Sequence, residues 1–163
     1  MLPAVQRFTS STGVRIYRLS CEAFPDLITH AYLLVEAGPP TLVDTGSGYG
    51  DSSAQLLAAL EAVRSDFGES VRLADIRRIL ITHGHIDHFG GLPHFASATG
   101  AEVAIHELDR RILTAYEERV VVATAALRRF LQQAGVRTGL QSPFMEMYGF
   151  SKRHVSSVPV DIT

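Results

Sequence analysis

Ile79-Leu80-Ile81-Thr82-His83-Gly84-His85-Ile86-Asp87-His88 places three imidazoles and a carboxylate within six positions, directly after an apolar run that reads as a buried strand. In an extended or gently turning backbone, residues of equal parity point the same way. His83, His85 and Asp87 should therefore converge, and His88 should come round as the chain turns. Gly84 leaves room for that turn. Imidazole and carboxylate are ligands that zinc accepts, and a mixed set at a strand end suits an open catalytic site better than a closed structural one, which favours thiolates. His30, His94, His106 and His154 stand apart in the chain, and each reads singly as a histidine without a shared task.

As it stands, His83-Gly84-His85-Ile86-Asp87-His88 resembles the His-x-His-x-Asp-His hallmark of the metallo-β-lactamase-fold superfamily, which follows a strand there as it does here. Two further stretches agree. Thr41-Leu42-Val43-Asp44-Thr45-Gly46 resembles the family's strand-ending Asp-Thr-Gly, and Phe89-Gly90-Gly91-Leu92-Pro93 resembles its helix entry after the motif. The resemblance covers about residues 32–105. It implies an α/β chain corresponding to the N-terminal half of an αβ/βα sandwich.

The resemblance also implies a ligand set. His83 and His85 would hold one zinc ion and Asp87 and His88 its neighbour, with two zinc ions in a complete site, although the ligand types alone admit iron. Two ions about 3.5–4 Å apart hold both a nucleophile and a developing oxyanion, and metal-bound water ionises near neutral pH. Hydrolysis is the reaction implied, on a small ester, thioester, lactone or amide. Asp87 would be catalytic as well as a ligand, steering the nucleophile or taking its proton. Asp44, at a neighbouring strand end, has two readings. It orients a ligand imidazole through the ring N–H, or it serves only a turn or helix cap.

The 163 residues suffice for one domain or part of one. Hydrophobic content of 46% with 20% charged residues describes a globular chain. A net charge of −2 supplies no broad basic field for nucleic acid or an anionic membrane, which argues against the nuclease branches of the family. The single cysteine, Cys21, excludes an internal disulfide and reads as a small apolar residue. The N-terminus has no basic region leading into a long apolar core, and no window approaches the ~18 apolar residues of a membrane span. A cytoplasmic location is the expectation.

Outward from the motif, Val14-Arg15-Ile16-Tyr17-Arg18-Leu19 largely alternates in polarity as a half-buried strand does. Ala31-Tyr32-Leu33-Leu34-Val35 and Thr41-Leu42-Val43 flank a turn-rich break and read as a hairpin that delivers Asp44. Gly46-Ser47-Gly48-Tyr49-Gly50 lacks the lysine and spacing of a phosphate loop and is read as a hinge. The helix after it, capped by Asp51 or Ser52, buries Leu56, Leu60, Val63 and Phe67 and ends at Gly68. Leu92-Pro93 opens a further helix, Gly100 closes it, and Ala101-Glu102-Val103-Ala104-Ile105 is a strand. From Glu107 to about Gln133 the chain should be helical, as one or two helices, burying Leu108, Ile112, Leu113, Tyr116, Val120, Ala123, Leu127, Phe130 and Leu131. Gly135 is a plausible stop. Phe144, Met145, Met147, Tyr148 and Phe150 form an apolar cluster for which core packing is the first expectation and a substrate-facing lid the second.

Residues 1–163 are thus expected to form one partial domain, with residues 107–163 a helical segment that makes a lid or an association surface. Catalytic zinc takes three protein ligands, whereas the motif offers each ion two. After it only His94, His106 and His154 remain, outside the Gly-His context of the family's third histidine. The expected metal site is therefore incomplete in this chain, and the sheet face meant for the missing half would be exposed. A homodimer, or association with a complementary half domain, is the expected remedy. Two functions compete: a zinc hydrolase of small molecules that is active as the intact parent domain, this chain alone being inactive as a split or truncated half, and a non-catalytic half-domain fragment or interaction module that binds metal weakly.

Overall fold

A computed structural model describes residues 2–150 and 152–163. A sheet of six strands runs in chain order: β1 (Gln6–Thr9), β2 (Arg15–Phe24), β3 (Leu27–Val35), β4 (Thr41–Val43), β5 (Arg78–Ile81) and β6 (Glu102–Ile105). The first four are antiparallel, and β4, β5 and β6 are parallel. The change of direction follows from the connections. Short turns join antiparallel neighbours, while parallel neighbours need crossovers. These contain α1 (Ser52–Phe67) between β4 and β5, then α2 (Ile86–Phe89) and α3 (Leu92–Thr99) between β5 and β6.

Register explains the core. Tyr17, Leu33, Leu42, Ile79 and Val103 pair in one row across five strands, and all are buried. The next row, Arg18, Tyr32, Val43, Leu80 and Ala104, points to the opposite face. There Leu80 is 39% exposed and Arg18, Tyr32 and Val43 are only half-buried. The apolar run Ile79-Leu80-Ile81 is therefore buried on one side only, which corrects its reading as a buried strand. Edge strand β1 is exposed along its length and gave no alternation to read.

Helix α1 buries Leu56, Leu60 and Val63, and Phe67 meets Tyr17 edge to face at 5.4 Å. Gly68 ends it in the left-handed conformation at φ 72°. Neither expected cap caps it. Asp51 makes no side-chain capping bond, and the Ser52 hydroxyl instead accepts from the Ser47 amide at 3.2 Å.

The helical region after β6 is a 3-10 turn (Glu107–Asp109), α4 (Arg110–Thr114), α5 (Tyr116–Gln133) and α6 (Thr138–Phe150). Ala115, at φ −135° and ψ 42°, breaks the path between α4 and α5. The expected single helical stretch is therefore divided, and Leu108 lies outside both helices. Leu113, Tyr116 and Leu131 are buried as expected, but Leu108 is 86% and Phe130 63% exposed. Phe144 is exposed too, so core packing does not hold for that part of the apolar cluster, and the side chains of Met147 and Phe150 lie outside those described. Gly135 follows α5 at φ 73°. Among the described residues, no helix is long and apolar enough to cross a membrane.

Candidate metal-binding site

Because β4 and β5 are parallel neighbours, their C-terminal ends bring Asp44 and Thr82 together. The Asp44 amide extends the ladder to the Leu80 carbonyl at 2.9 Å, and its backbone then turns into the left-handed region at φ 62°, which aspartate tolerates better than most residues. The carboxylate is 3% exposed. It accepts from the Thr82 amide at 2.8 Å, from the Thr82 hydroxyl at 2.8 Å and from His88 Nδ1 at 2.8 Å. The Thr82 hydroxyl also lies 3.0 Å from His83 Nδ1. An ionised carboxylate only accepts, and a hydroxyl has one proton, so Thr82 donates to Asp44 and accepts from His83 Nδ1–H. One buried carboxylate thereby fixes a proton on Nδ1 of two imidazoles, which leaves Nε2 of each as the atom free for a ligand.

The His83 ring lies 4.6 Å from that of His85 and 4.2 Å from that of His88, centre to centre. Both residues lie past the end of β5 at Ile81, with a bend at His83 and Gly84, so strand parity does not explain the first pair. Nor does it account for Asp87, because the chain enters α2 at Ile86 with His85 as the residue before the helix. That helical turn, rather than an extended backbone, sets the Asp87 Oδ2 atom 3.3 Å from His88 Nε2. Two donors on one tetrahedral zinc, each about 2.0–2.1 Å from it, sit roughly 3.3–3.4 Å apart. In kind and in spacing, Asp87 and His88 fit a shared ion. Among the described residues no three His, Cys, Asp or Glu side chains are grouped to hold one.

Gly84 has a different task from the one its sequence suggested. Its backbone is not in the left-handed region, but a Cβ there would lie 2.2 Å from Ile112 Cδ1. The glycine makes room for α4, and its amide donates to Asp109 Oδ2 at 3.0 Å. On the other side, Thr45 N donates to the His88 carbonyl at 2.7 Å and Gly91 N to the Gly46 carbonyl at 3.1 Å. Gly48 and Gly90 pack so closely that a Cβ on Gly48 would lie 2.7 Å from the Gly90 carbonyl oxygen. The segment after β4 is thus stitched to the histidine segment along both backbones.

The other histidines have separate local partners. His30 meets the Ser20 hydroxyl at 3.1 Å, His94 packs on Phe95, His106 accepts from the Leu108 amide, and His154 meets the Ser47 carbonyl at 2.7 Å. Burial holds the His30 ring below the usual imidazole range, with Arg18 adding to the effect. Thr82 and Asp109 were not singled out from the sequence, and Ile112 only as a buried helical position. Thr82, directly before the first histidine, carried a local signal in its hydroxyl; Asp109 and Ile112 reach the site only through the fold.

The chain belongs to the metallo-β-lactamase superfamily, whose family model matches residues 24–155. It is 40% identical over 77 residues to a hydroxyacylglutathione hydrolase of Anaeromyxobacter dehalogenans (strain 2CP-C), a match covering 47% of this chain and 25% of that protein. In fold it is similar to the class B3 di-zinc metallo-β-lactamase LRA-12 from an Alaskan soil metagenome, with a TM-score of 0.52 at 20% identity over 69% of this chain and 36% of that one. The Rm3 metallo-β-lactamase gives a TM-score of 0.51 at 23% identity, over 69% and 35% of the two chains. The chain thus spans a quarter to about a third of the length of these relatives.

Proposed function

We propose that this chain carries half of the catalytic centre of a zinc-dependent hydrolase acting on a small ester, thioester, lactone or amide. The observation that supports it is the 3.3 Å spacing of Asp87 Oδ2 and His88 Nε2, behind which Asp44 holds the His88 ring. In this reading His83 and His85 serve one ion and Asp87 and His88 the other. Zinc supplies Lewis acidity and makes water acidic near neutral pH. The chain's own residues do the rest. Asp44 and Thr82 leave the Nε2 atoms of His88 and His83 free for a ligand, and Asp87 accepts a proton at its carboxylate.

The remaining ligands come from another chain or from further sequence of a longer parent, since a catalytic zinc takes three protein ligands. Kinship with a hydroxyacylglutathione hydrolase favours a thioester among the candidate bonds. A non-catalytic half domain is the second reading, favoured by the lack of any three-donor group among the described residues.

The test is hydrolysis of a panel containing one member of each bond class, with zinc and with a chelator, by the chain in each assembly it forms. Zinc-dependent turnover that disappears in Asp87→Asn and His88→Ala is the expected result. Turnover indifferent to chelation, or none in any assembly, overturns the hydrolase reading.

A further inference from the structure

A cavity of about 410 Å³ opens directly on the histidine segment, bordered by Gly84, His85, Ile86 and Asp87. That volume lies within the range of small-molecule sites. Its far wall is α5, which presents Tyr116, Arg119, Val120 and Ala123. These positions are spaced i, i+3, i+4 and i+7, so one helical face looks onto the site. Three of the four provide an apolar or aromatic wall. The fourth, Arg119, puts a permanent cation in the middle of it.

A second cation comes from the segment after α6. Lys152 Nζ sits 4.6 Å from the centre of the Tyr148 ring, and both residues border the cavity. The position of Lys152 is set from beneath, because the buried Tyr116 hydroxyl donates to the Lys152 carbonyl at 3.3 Å. Burial, with Tyr148 and Glu117 nearby, pushes the Tyr116 phenol up to about 12, so it remains a donor. Burial also lowers the Lys152 ammonium from the usual lysine range, as expected for a cation without a partner charge. Among the described residues neither Arg119 nor Lys152 is in a salt bridge, and the cavity's only acid, Asp87, lies on the histidine side.

We propose that this cavity holds the substrate, with the apolar body against α5 and an anionic group paired to Arg119 and Lys152, so that the centre acts on small anionic acyl compounds. The proposal rests on the hydrolase reading for the word substrate, but its binding test does not. Phenylpropionate and its uncharged amide, phenylpropionamide, are titrated into the chelator-treated chain at about pH 7.5, where unperturbed imidazoles are mostly neutral. Binding is followed by NMR. The carboxylate should bind on the order of tenfold tighter than the amide. Arg119→Gln and Lys152→Gln should each reduce that preference, and the double variant should abolish it. Equal binding of the two probes, no binding of either, or a preference unchanged in the double variant would overturn the proposal. With zinc absent, loss of hydrolytic activity in the panel cannot mimic any of these outcomes.

Discussion

Asp44→Asn isolates what the buried carboxylate does for the imidazoles. Asparagine is nearly isosteric, so its remaining oxygen can still accept from the Thr82 amide, now 2.8 Å from Asp44 Oδ1. The atom facing His88 Nδ1, at 2.8 Å in the native pair, becomes an NH₂ donor. Two donors cannot bond, so the His88 proton must move to Nε2 for Nδ1 to accept. That places the proton on the nitrogen nearest Asp87, where an ion would bind. Loss of such a supporting partner typically costs about 10–100-fold in metal affinity, or roughly 1.4–2.7 kcal/mol. Asp44→Ala should cost more in folding, about 1.5–3 kcal/mol for each charged hydrogen bond left without its acceptor. The assay is NMR of nitrogen-labelled histidine for the His88 tautomer, paired with zinc competition titration. A His88 that stays protonated at Nδ1 in Asp44→Asn, or a zinc affinity equal to wild type, would refute the reasoning.

Gly84→Ala should destabilise by about 0.5–1.5 kcal/mol, because its Cβ, 2.2 Å from Ile112 Cδ1, forces that side chain out of its rotamer. Ile112→Val in the same chain should recover part of the loss; strictly additive melts would show that the contact is not the cause. At Glu69, which accepts from Arg15 and Tyr17, the Arg15 hydrogen bond holds the carboxyl below its ordinary range. Its contribution is therefore full above the unfolded value of about 4.3 and fades as pH falls through the lowered folded value. Denaturant melts of Glu69→Gln should show a smaller loss of stability on acidification than wild type, and parallel curves would contradict this. Val122, 69% exposed on α5, and Phe130, 63% exposed eight residues further along, should make the chain dimeric by light scattering, and Val122→Lys should weaken the dimer. A wild-type monomer would argue against that association.

Strands β2 to β6, α1 and α3 were legible because their signals are local: alternation at Tyr17 and Leu19, a helical stripe from Leu56 to Val63, and glycines 68 and 100 at helix ends. The histidine segment was legible for the same reason, since its donors are consecutive. Strand parity does not describe how the donors meet, because β5 ends at Ile81, His83 and Gly84 form a bend, and Asp87 lies in a helix. Helical periodicity failed at Leu108 because that residue sits in a 3-10 turn and not in an α-helix, and at Phe130 although it shares the face of α5 that carries buried Tyr116. The purpose of Gly84 was hidden because its neighbour, Ile112, is 28 positions away in sequence (112 − 84) and adjacent only after folding.

The most direct test of the central claim is zinc content per chain, measured after gel filtration from zinc-containing buffer, for wild type and for His83→Ala, Asp87→Ala and His88→Ala. The account predicts retained zinc in the wild type and a loss of bound metal in each variant, steepest for Asp87→Ala and His88→Ala. A wild type that retains no zinc, or variants that retain as much as the wild type, would contradict it.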